Sequence, residues 1–412
     1  MKNKGFILHF SLILLGVLFY FVANFQRIAV PGAIFDILEQ ELSVGAPQIT
    51  AFGAIFMYIY AFTQLLNGVF VDRYGGYRVM FAGSIIMGLG CLIFPLSSNL
   101  VVMYFSRALL GLGGSMFYLS LIKELGNLFS EKDFGIALSV MLFIGYAGGI
   151  AANAPFVFAM KYIAWRDILL IIAGVVLVSA IAYLFILPKA QLKNINKGVT
   201  LRALPFRLVL HKKHNRNLYS FACCNFGISY VIQTVIGKKF LEDFCSMTSG
   251  KAATVLSVMA IIAAVFNIIN ASLCKMCHNH RVLFLKIASI ITFVSLFIIC
   301  LLIWFDVKSM LIPVIFCVLA GNASLSSLLV PVLHMTNSKM TSGTAVSILN
   351  FGFFMMVGFL GTLTGYVLNV FEPERINNTL VYNNNSYLLL FFIFLILSVY
   401  EVYKAGKLSN KY

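Results

Sequence analysis

Charged side chains are scarce in this chain. Only 11% of its 412 residues are Asp, Glu, Lys or Arg, whereas 61% are hydrophobic. A soluble globular domain is about a quarter charged and about half apolar, so these charges are too few to cover a water-exposed surface. The scarcity excludes a water-soluble protein and indicates one that is embedded in a lipid bilayer.

Several kinds of functional motif are also missing. The sequence has no HExxH zinc motif, no phosphate-cradling loop ending in Gly-Lys-Ser and no nucleophile elbow, so an ATP-driven pump has no recognisable machinery here. The cysteines are scattered and form no framework of external pairs, so structural disulfides are not expected. Cys274, Cys277, His278 and His280 resemble a haem or zinc sequence only superficially. We expect no metal, no other cofactor and no enzymatic activity.

Long apolar runs are what the chain has in abundance. A helix needs about 20 apolar residues to cross a bilayer, and lipid offers no partners to an open backbone. Because the runs are continuous, they argue against transmembrane β-strands, whose hydrophobicity alternates over short segments. The sequence predicts an all-α integral membrane protein with twelve spans, at 6–38, 48–71, 79–98, 101–128, 135–160, 167–188, 217–241, 250–274, 281–304, 309–334, 342–370 and 387–405.

Positive charge is distributed unevenly between the connections. Most of the 30 Lys and Arg fall in connections that an alternating topology places on one side of the membrane. Cytoplasmic connections carry the excess of Lys and Arg in membrane proteins, which predicts that both termini are cytoplasmic. The net charge of +16 is thus explained by the membrane topology and by the attraction of cytoplasmic Lys and Arg to anionic lipid. We therefore expect no nucleic-acid partner.

A basic gap separates the first six predicted spans from the last six. The stretch 189–216 carries eight Lys and Arg and no acid. This composition predicts a cytoplasmic linker, either a solvated tether or a short amphipathic helix on the membrane surface. The predicted organisation has two pseudo-symmetric halves: an N-terminal six-helix bundle at 1–188, the linker, a C-terminal six-helix bundle at 217–405 and a cytoplasmic tail at 406–412.

A short charged turn joins the second and third predicted spans. It reads Gly68-Val-Phe-Val-Asp72-Arg73-Tyr-Gly75-Gly-Tyr-Arg78. The glycines let the backbone turn tightly, and the cations favour the cytoplasmic side. The turn resembles the signature loop between helices 2 and 3 of the major facilitator superfamily of secondary transporters, at Gly68, Asp72, Arg73, Gly75 and Arg78. The resemblance implies two bundles that alternate between inward-open and outward-open states, with these five residues controlling the change.

Arg27 is the strongest single candidate for substrate binding. It lies inside the first predicted span, where a guanidinium costs at least about 3 kcal/mol even on the gentler insertion scale. The segment Asn24-Phe-Gln26-Arg27-Ile-Ala-Val-Pro31 is similar to the first helix of bacterial organic-anion and sugar-phosphate permeases, some of which hold an anionic group with an arginine at the matching place. We expect Arg27 to line a cavity and bind an anion; the alternative is a structural hydrogen-bond network between helices.

The fourth predicted span carries three further charged candidates. Arg107 lies in a stretch that resembles the fourth-helix motif of the superfamily, whose arginine serves coupling or conformational change; snorkelling to the outer surface is the alternative. Lys123 is a second candidate substrate contact. Glu124, as the only acid placed well within a span, is the candidate proton carrier. For Glu124 the alternative is a local ion pair at the cytoplasmic rim.

Polar residues of the second half complete the predicted substrate site. Lys238 lies in a segment that resembles the outer end of helix 7 in the same permeases, and Tyr230 stands where phosphate antiporters of that group carry a second arginine. This difference weakens the case for a phosphate ester. Tyr230 and Gln233 are candidate neutral cavity groups, and Asn322 and Asn350 either line the cavity or bond neighbouring helices.

The fifth predicted span is rich in small residues. Gly145 and Gly149 form a Gly-x-x-x-Gly pair, and Pro155 follows them. Small residues let helices approach closely, and the stretch resembles the gating fifth helix of the superfamily. We expect it to form a surface on which the halves rock; plain tight packing is the alternative.

Together these features predict a secondary active transporter, either a symporter or an antiporter. We expect it to move a small organic solute, with an anion favoured, by alternating access, as a monomer in the bacterial cytoplasmic (inner) membrane, with H⁺ or a counter-anion as coupling partner. Two alternatives stay open. One is a proton-coupled carrier of peptides, siderophores or drugs, and the other is a non-transporting receptor or scaffold with a transporter fold.

Overall fold

A computed structural model describes residues 2–190, 206–276, 280–338, 341–376 and 379–409. Parts of the predicted linker and tail, at 191–205 and 410–412, lie outside these ranges, as do Cys277 and His278.

The described residues before the linker form nine α-helices. A π-helical turn follows the first helix, and a 3-10 turn follows the last. The helices are α1 (Lys2–Ile28), with the π turn Ala29–Ala33, α2 (Phe35–Leu42), α3 (Ala46–Tyr74), α4 (Gly76–Leu96), α5 (Leu100–Ser115), α6 (Phe117–Leu128), α7 (Glu131–Ala151), α8 (Ala154–Ala159) and α9 (Trp165–Ile186), with the 3-10 turn Leu187–Ala190.

The described residues from 206 onward form nine more helices and one hairpin. They are α10 (Phe206–His211), α11 (Lys213–Val231), the π turn Ile232–Ile236, α12 (Gly237–Asp243), α13 (Ser249–Met276), α14 (Arg281–Trp304), α15 (Leu311–Asn322), α16 (Ser326–Thr336), α17 (Ser342–Leu368), β1 (Glu374–Ile376), β2 (Thr379–Val381) and α18 (Asn384–Gly406). The strands pair antiparallel, with Arg375 opposite Leu380.

The predicted number of membrane spans is confirmed. Within the described ranges, 12 helical segments are long and apolar enough to cross a bilayer. A membrane-spanning helix needs an apolar surface that faces lipid, and helix α9 has one. Ile171, Val178 and Phe185 lie on one side of this helix and are 59 to 67% exposed. Such large exposed side chains suit contact with lipid tails rather than water. The chain is therefore a multi-pass, all-α membrane protein.

Some spans are interrupted where the sequence predicts continuous helices. The first ends at Ala33, not at 38, because Val30 adopts an extended conformation (φ −121°, ψ 122°). A following proline disfavours the helical conformation, and Pro31 follows Val30. The predicted spans 101–128, 135–160 and 309–334 are each divided into two helices. Apolar composition continues through these breaks, so hydropathy does not reveal them.

Contacts divide the chain into two compact units. The first comprises Met1–Ala29 and Ile55–Arg202, and the second comprises Val30–Ala54 and Ala203–Tyr412. The later boundary falls inside the predicted linker, although α10 and the start of α11 also lie there. The segment Val30–Ala54 packs with the second unit. The predicted division, at residues 188 and 217, instead places this segment in the N-terminal bundle.

Each unit is held together by close helix packing. In the first unit, a Cβ added at Gly113 would lie 2.6 Å from the Gly83 carbonyl oxygen, so these glycines let α4 and α5 approach closely. In the second unit, a core of buried side chains from α11, α14, α16 and α17 includes Phe221, Leu285 and Leu329. This packing fixes the helices that carry the candidate residues.

Candidate functional site

Arg27 lies in the last turn of α1, where the helix breaks. It lies one residue before the end of α1 at Ile28 and inside the first candidate membrane span, Gly5–Ala33. A cation in the last turn is favoured by the helix dipole, which lowers the cost of placing a guanidinium within a membrane span.

The Arg27 side chain is half-buried and oriented by two neighbours. Its Nη2 donates a hydrogen bond to Asn24 Oδ1, and its Cζ lies 5.8 Å from the centre of the Tyr60 ring. Asn24 is one helical turn earlier on the same face of α1, so a single helix provides both the cation and the group that orients it. A guanidinium can donate paired hydrogen bonds to an anionic group.

Tyrosines surround this guanidinium. Tyr20 and Tyr146 lie close enough to Arg27 for its charge to act on their hydroxyl groups, and the rings of Tyr20 and Tyr118 lie 6.1 Å apart. A phenol hydroxyl can donate to an anion, and its ring can contact an apolar part of the same ligand. These tyrosines were not among the predicted site residues. Tyr20 could have been found because it lies seven residues, two helical turns, before Arg27.

The glycines of helix α7 pack closely against α1 near Arg27. A Cβ at Gly145 would lie 2.2 Å from the Tyr20 ring, and one at Gly149 would lie 2.7 Å from Ile28. The predicted small-residue surface is therefore packed against α1 inside the first unit. Pro155 lies apart from it, exposed in the first turn of α8.

Arg107 is buried rather than snorkelling. Its side chain is 0% exposed, its Nη1 donates 2.9 Å to the Gln26 carbonyl oxygen, and its Cζ lies 4.9 Å from the centre of the Phe56 ring. The snorkelling alternative is thus wrong for this arrangement. Arg107 binds the backbone next to Arg27 and connects α5 to the end of α1.

The charged turn between α3 and α4 is closed by residues of α6. Gly75 has a φ of 82°, a conformation that favours glycine. Lys123 Nζ lies 2.9 Å from Asp72 Oδ1 and donates to the Val71 carbonyl oxygen at 2.8 Å. Lys123 is therefore brought to the turn, and the contacts that the structure shows for it are with the turn rather than with the Arg27 region.

Other residues of the turn make local contacts. Arg78 Nη1 donates to the Tyr74 carbonyl oxygen at 3.0 Å, and the Arg73 guanidinium lies 5.3 Å from the Tyr74 ring centre. A Cβ added at Gly68 would meet no atom within 4 Å. The two arginines thus contact the turn itself, whereas Gly68 faces open space.

Glu124 caps the start of α4. Its Oε1 accepts 2.7 Å from the Gly76 backbone N–H, and its Oε2 accepts 3.3 Å from Asn127 Nδ2. A carboxylate that receives the first N–H groups of a helix is stabilised there. This geometry favours the local structural alternative over the predicted proton-carrier role.

The polar candidates of the second half are dispersed. Asn322 Nδ2 donates 2.8 Å to both the Ala288 carbonyl oxygen and Thr292 Oγ1, which bonds α15 to α14. The Tyr230 ring stacks 4.9 Å from Phe226. Gln233 is buried in the second π turn, and Asn350 is half-buried in α17. Asn322 thus favours the helix-bonding alternative.

A second intramembrane acid was missed by the sequence analysis. Glu401 lies in α18, is 0% exposed and accepts 2.9 Å from Asn225 Nδ2. The statement that Glu124 is the only acid well within a span is therefore wrong. Glu401 lies five residues before the end of its span at Gly406, much as Glu124 lies four residues before Leu128.

Lys238 belongs to a cluster of six charged residues inside the second unit. Its Nζ lies 2.8 Å from Glu242 Oε1, while Lys239 Nζ lies 2.6 Å from Asp36 Oδ1 and 3.0 Å from Asp243 Oδ1. We call this group, with the nearby Glu39, the acid–lysine cluster. It consists of Asp36, Glu39, Lys238, Lys239, Glu242 and Asp243.

Two tyrosines complete the surroundings of the cluster. Tyr382 donates its hydroxyl to Glu39 Oε1 and its backbone N–H to Asp243 Oδ2 at 3.1 Å. Tyr387 donates its hydroxyl to Asp243 Oδ2 at 2.7 Å. The four-residue spacing from each lysine to an acid could have indicated part of this cluster, whereas the partners at 36 and 39 are too distant in sequence for any local pattern.

The two acids outside the spans respond differently to this environment. Burial raises the pKa of Glu39 to about 8. The Tyr382 hydrogen bond and the Lys239 charge lower this pKa, but burial has the larger effect. For Asp36, burial is opposed by Lys239 and Lys238, and the net effect lowers its pKa. Near neutral pH, Asp36 is therefore ionised while Glu39 retains a proton.

A sequence model of the Major Facilitator Superfamily matches residues 12–362. The chain belongs to this superfamily. The predicted membership is thus confirmed, and with it the reading of the chain as a membrane transporter.

Two individual proteins are similar to this transporter. One is described as "Probable sulfoacetate transporter SauU" from Cupriavidus necator and is 24% identical over 175 residues, 42% of this chain and 40% of that protein. The alignment therefore spans about two fifths of the relative's length. The other is a crystal structure of a bacterial homolog of the human lysosomal transporter Spinster, inward-facing and unoccupied, with a TM-score of 0.73, 14% identity and 97% coverage of each chain. The second likeness shows the fold.

Proposed function

We propose that this transporter carries a small organic anion by alternating access and that Arg27 binds the anionic group. The observation that carries the proposal is the half-buried guanidinium in the first span, oriented by Asn24 and bordered by Tyr20 and Tyr60. Intramembrane charges face a cavity or partner and mark substrate pathways. The name of the partial relative, which gives sulfoacetate as its cargo, supports a carboxylate or sulfonate over a sugar phosphate.

The residues around Arg27 divide the recognition of such an anion into two tasks. The guanidinium binds a planar carboxylate or a sulfonate through paired N–H donors. The phenol groups of Tyr20, Tyr60 and Tyr146 add donors and apolar ring surface. The Arg107 contact with the Gln26 carbonyl oxygen holds the adjacent backbone in place, so the cation is positioned before the ligand arrives.

We infer that the turn between α3 and α4 controls the rate of the conformational cycle rather than affinity. Asp72, Arg73 and Lys123 lie at this turn, and Asp72 is 66% exposed. A pair so exposed contributes about 0.2–1 kcal/mol, which suits a contact that forms and breaks in each cycle.

The proposed orientation follows from charge. The basic stretch 189–216 and both termini face the cytoplasm under the positive-inside rule, in the inner membrane of a bacterium. The connections at 34–45, 244–248 and 369–383 each follow an odd-numbered span and share the opposite side.

Ligand-dependent thermal stabilisation tests the anion site. Purified protein is heated with sulfoacetate, other small carboxylates and sulfonates, phosphate esters, amino acids and dipeptides. A ligand that binds the folded state raises the unfolding temperature according to its affinity. We expect small carboxylates or sulfonates to stabilise the wild type and Arg27→Ala to bind them about 10- to 100-fold more weakly, since a hydrogen bond to a charged group contributes about 1.5–3 kcal/mol.

Arg375→Ala provides the matched control, because it removes an exposed guanidinium in the hairpin. It should retain the wild-type shift. Stabilisation only by neutral or zwitterionic ligands, or an undiminished anion shift in Arg27→Ala, would contradict the proposed site. A peptide shift that depends on pH would instead favour the proton-coupled carrier.

A further inference from the structure

The acid–lysine cluster contains more negative than positive groups in a buried place. Four carboxyl groups face two ammonium groups, and five of the six side chains are at most 13% exposed. Excess charge in a poorly solvated place is costly, and acids in such surroundings neutralise by taking up a proton. Two protons would make the cluster neutral.

Glu39 is one place for a proton. The residue is 4% exposed, its Oε1 accepts from Tyr382, and its Oε2 accepts no hydrogen bond within the described part of the chain. Burying an ionised oxygen without a donor costs more free energy than burying a neutral, protonated one. The charged groups that act on it are Lys239, Asp36 and Asp243, and Lys239 already has two carboxylate partners.

We assign the second proton to Glu242. Lys239 is already bound to both Asp36 and Asp243, and Lys238 Nζ is the ammonium group that contacts Glu242. Glu242 and Asp36 also lie close enough for their charges to act on each other, and neighbouring carboxyl groups ionise together only against strong repulsion. Lys238 and Lys239 then balance the charges of Asp36 and Asp243, and the cluster has no net charge.

The cluster joins two parts of the second unit that are far apart in sequence. Asp36 and Glu39 lie on α2, within the segment Val30–Ala54, which leaves the first unit after Ala29 and returns to it at Ile55. Their partners lie on α12 and at the hairpin before α18. The backbone also fits closely here, since a Cβ at Gly32 would lie 2.6 Å from the Thr234 carbonyl oxygen.

We propose that the acid–lysine cluster is a proton-operated latch. It holds Val30–Ala54 against α12 and the hairpin when two of its four carboxyl groups carry protons, and it releases the segment when they ionise. The protons leave through Asp36, whose side chain is 20% exposed, to the water on the side of the odd-numbered connections.

The direction of the pH effect follows from the Glu39 pKa. Burial raises that pKa to about 8 when the latch is closed, and exposure to water returns it toward the ordinary value near 4.5. The closed latch therefore binds more protons than the open one, and it weakens as pH rises between these values. For each proton released on opening, the ratio of closed to open molecules falls by up to about tenfold per pH unit.

A distance measurement tests the latch without any substrate. Spin labels are placed on the exposed residues 40 and 372 of the full-length chain, with accessible native cysteines replaced by serine, and their distance distribution is measured in nanodiscs from pH 5.5 to 8.5. We expect one short distance at pH 5.5 and a growing longer population at high pH. Glu39→Gln combined with Glu242→Gln should keep the short distance throughout, because both amides imitate protonated carboxyl groups.

The matched control is Glu374→Gln, which neutralises an exposed acid of the hairpin and should follow the wild-type pH profile. If the double variant does not fold, Glu39→Gln alone should move the onset of the long distance to higher pH. A wild-type distance that does not change with pH, or a double variant that opens like the wild type, would overturn the latch.

The latch and the anion site can fail separately. In a labelled Arg27→Ala chain the pH profile should remain that of the wild type, because Arg27 is not part of the cluster. An unchanged profile without any anion binding would refute only the proposed substrate, and anion transport with a pH-independent distance would refute only the latch.

Discussion

One glycine and one carboxylate set the start of α4. The Gly76 backbone N–H donates to Glu124 Oε1, and a Cβ at Gly76 would lie 2.7 Å from both the Glu124 side chain and the Ser120 carbonyl oxygen. This explains why position 76 is glycine. The motif was recognised from sequence, but the reason for this glycine appears only when α6 is seen against the turn.

We expect Gly76→Ala to lower the stability of the transporter by about 1–3 kcal/mol, because the added Cβ must displace either the capping carboxylate or the α6 backbone. The measurement is the thermal unfolding midpoint of the purified protein. Gly68→Ala is the matched control, since its Cβ would meet no atom within 4 Å. Equal losses in both variants would refute the steric explanation.

At the scale of elements, the sequence predicted the spans well and their interruptions poorly. Twelve runs were visible because each span must be apolar throughout. The breaks at Val30 and after Asn322 were not visible, because the few polar residues near the second break, such as Asn322 and Ser324, do not interrupt a long apolar run. Of the residues around Arg27, Asn24 was part of the segment recognised on α1, whereas Tyr20 on the same helix was not. Tyr60 and Tyr146 reach Arg27 from other helices, so no periodicity connects them.

The contact between the α3–α4 turn and α6 offers a test of two roles for Lys123. If its main partner is Asp72, Asp72→Asn and Lys123→Gln should each change the transport rate by less than about fivefold, since an exposed pair contributes at most about 1 kcal/mol. The double variant should be no worse than either single one. Initial uptake rates measure this effect.

Ligand affinity provides the contrasting readout for the same variants. Both should bind the anion as the wild type does, because the pair lies at the turn. A loss of affinity in Lys123→Gln that Asp72→Asn does not share would assign Lys123 to the substrate site, as the sequence analysis predicted.

At the scale of the whole molecule, the fold and the choice of cargo depend on different features of the sequence. The fold follows from composition and spacing, and the family match over 12–362 and the Spinster-like structure agree with it. The cargo depends on a few polar contacts, such as that of Arg27 with Asn24, which total hydropathy does not record. This is why the class of protein could be predicted from sequence more fully than its site.

The most direct test of the account is counterflow of a labelled small carboxylate or sulfonate into proteoliposomes loaded with the same unlabelled anion. We predict transient accumulation by the wild type and by Arg375→Ala, and a rate at least about tenfold lower for Arg27→Ala, because the anionic group loses its charged partner. Equal accumulation by Arg27→Ala and the wild type, or binding of the anion without any passage across the membrane, would contradict the account.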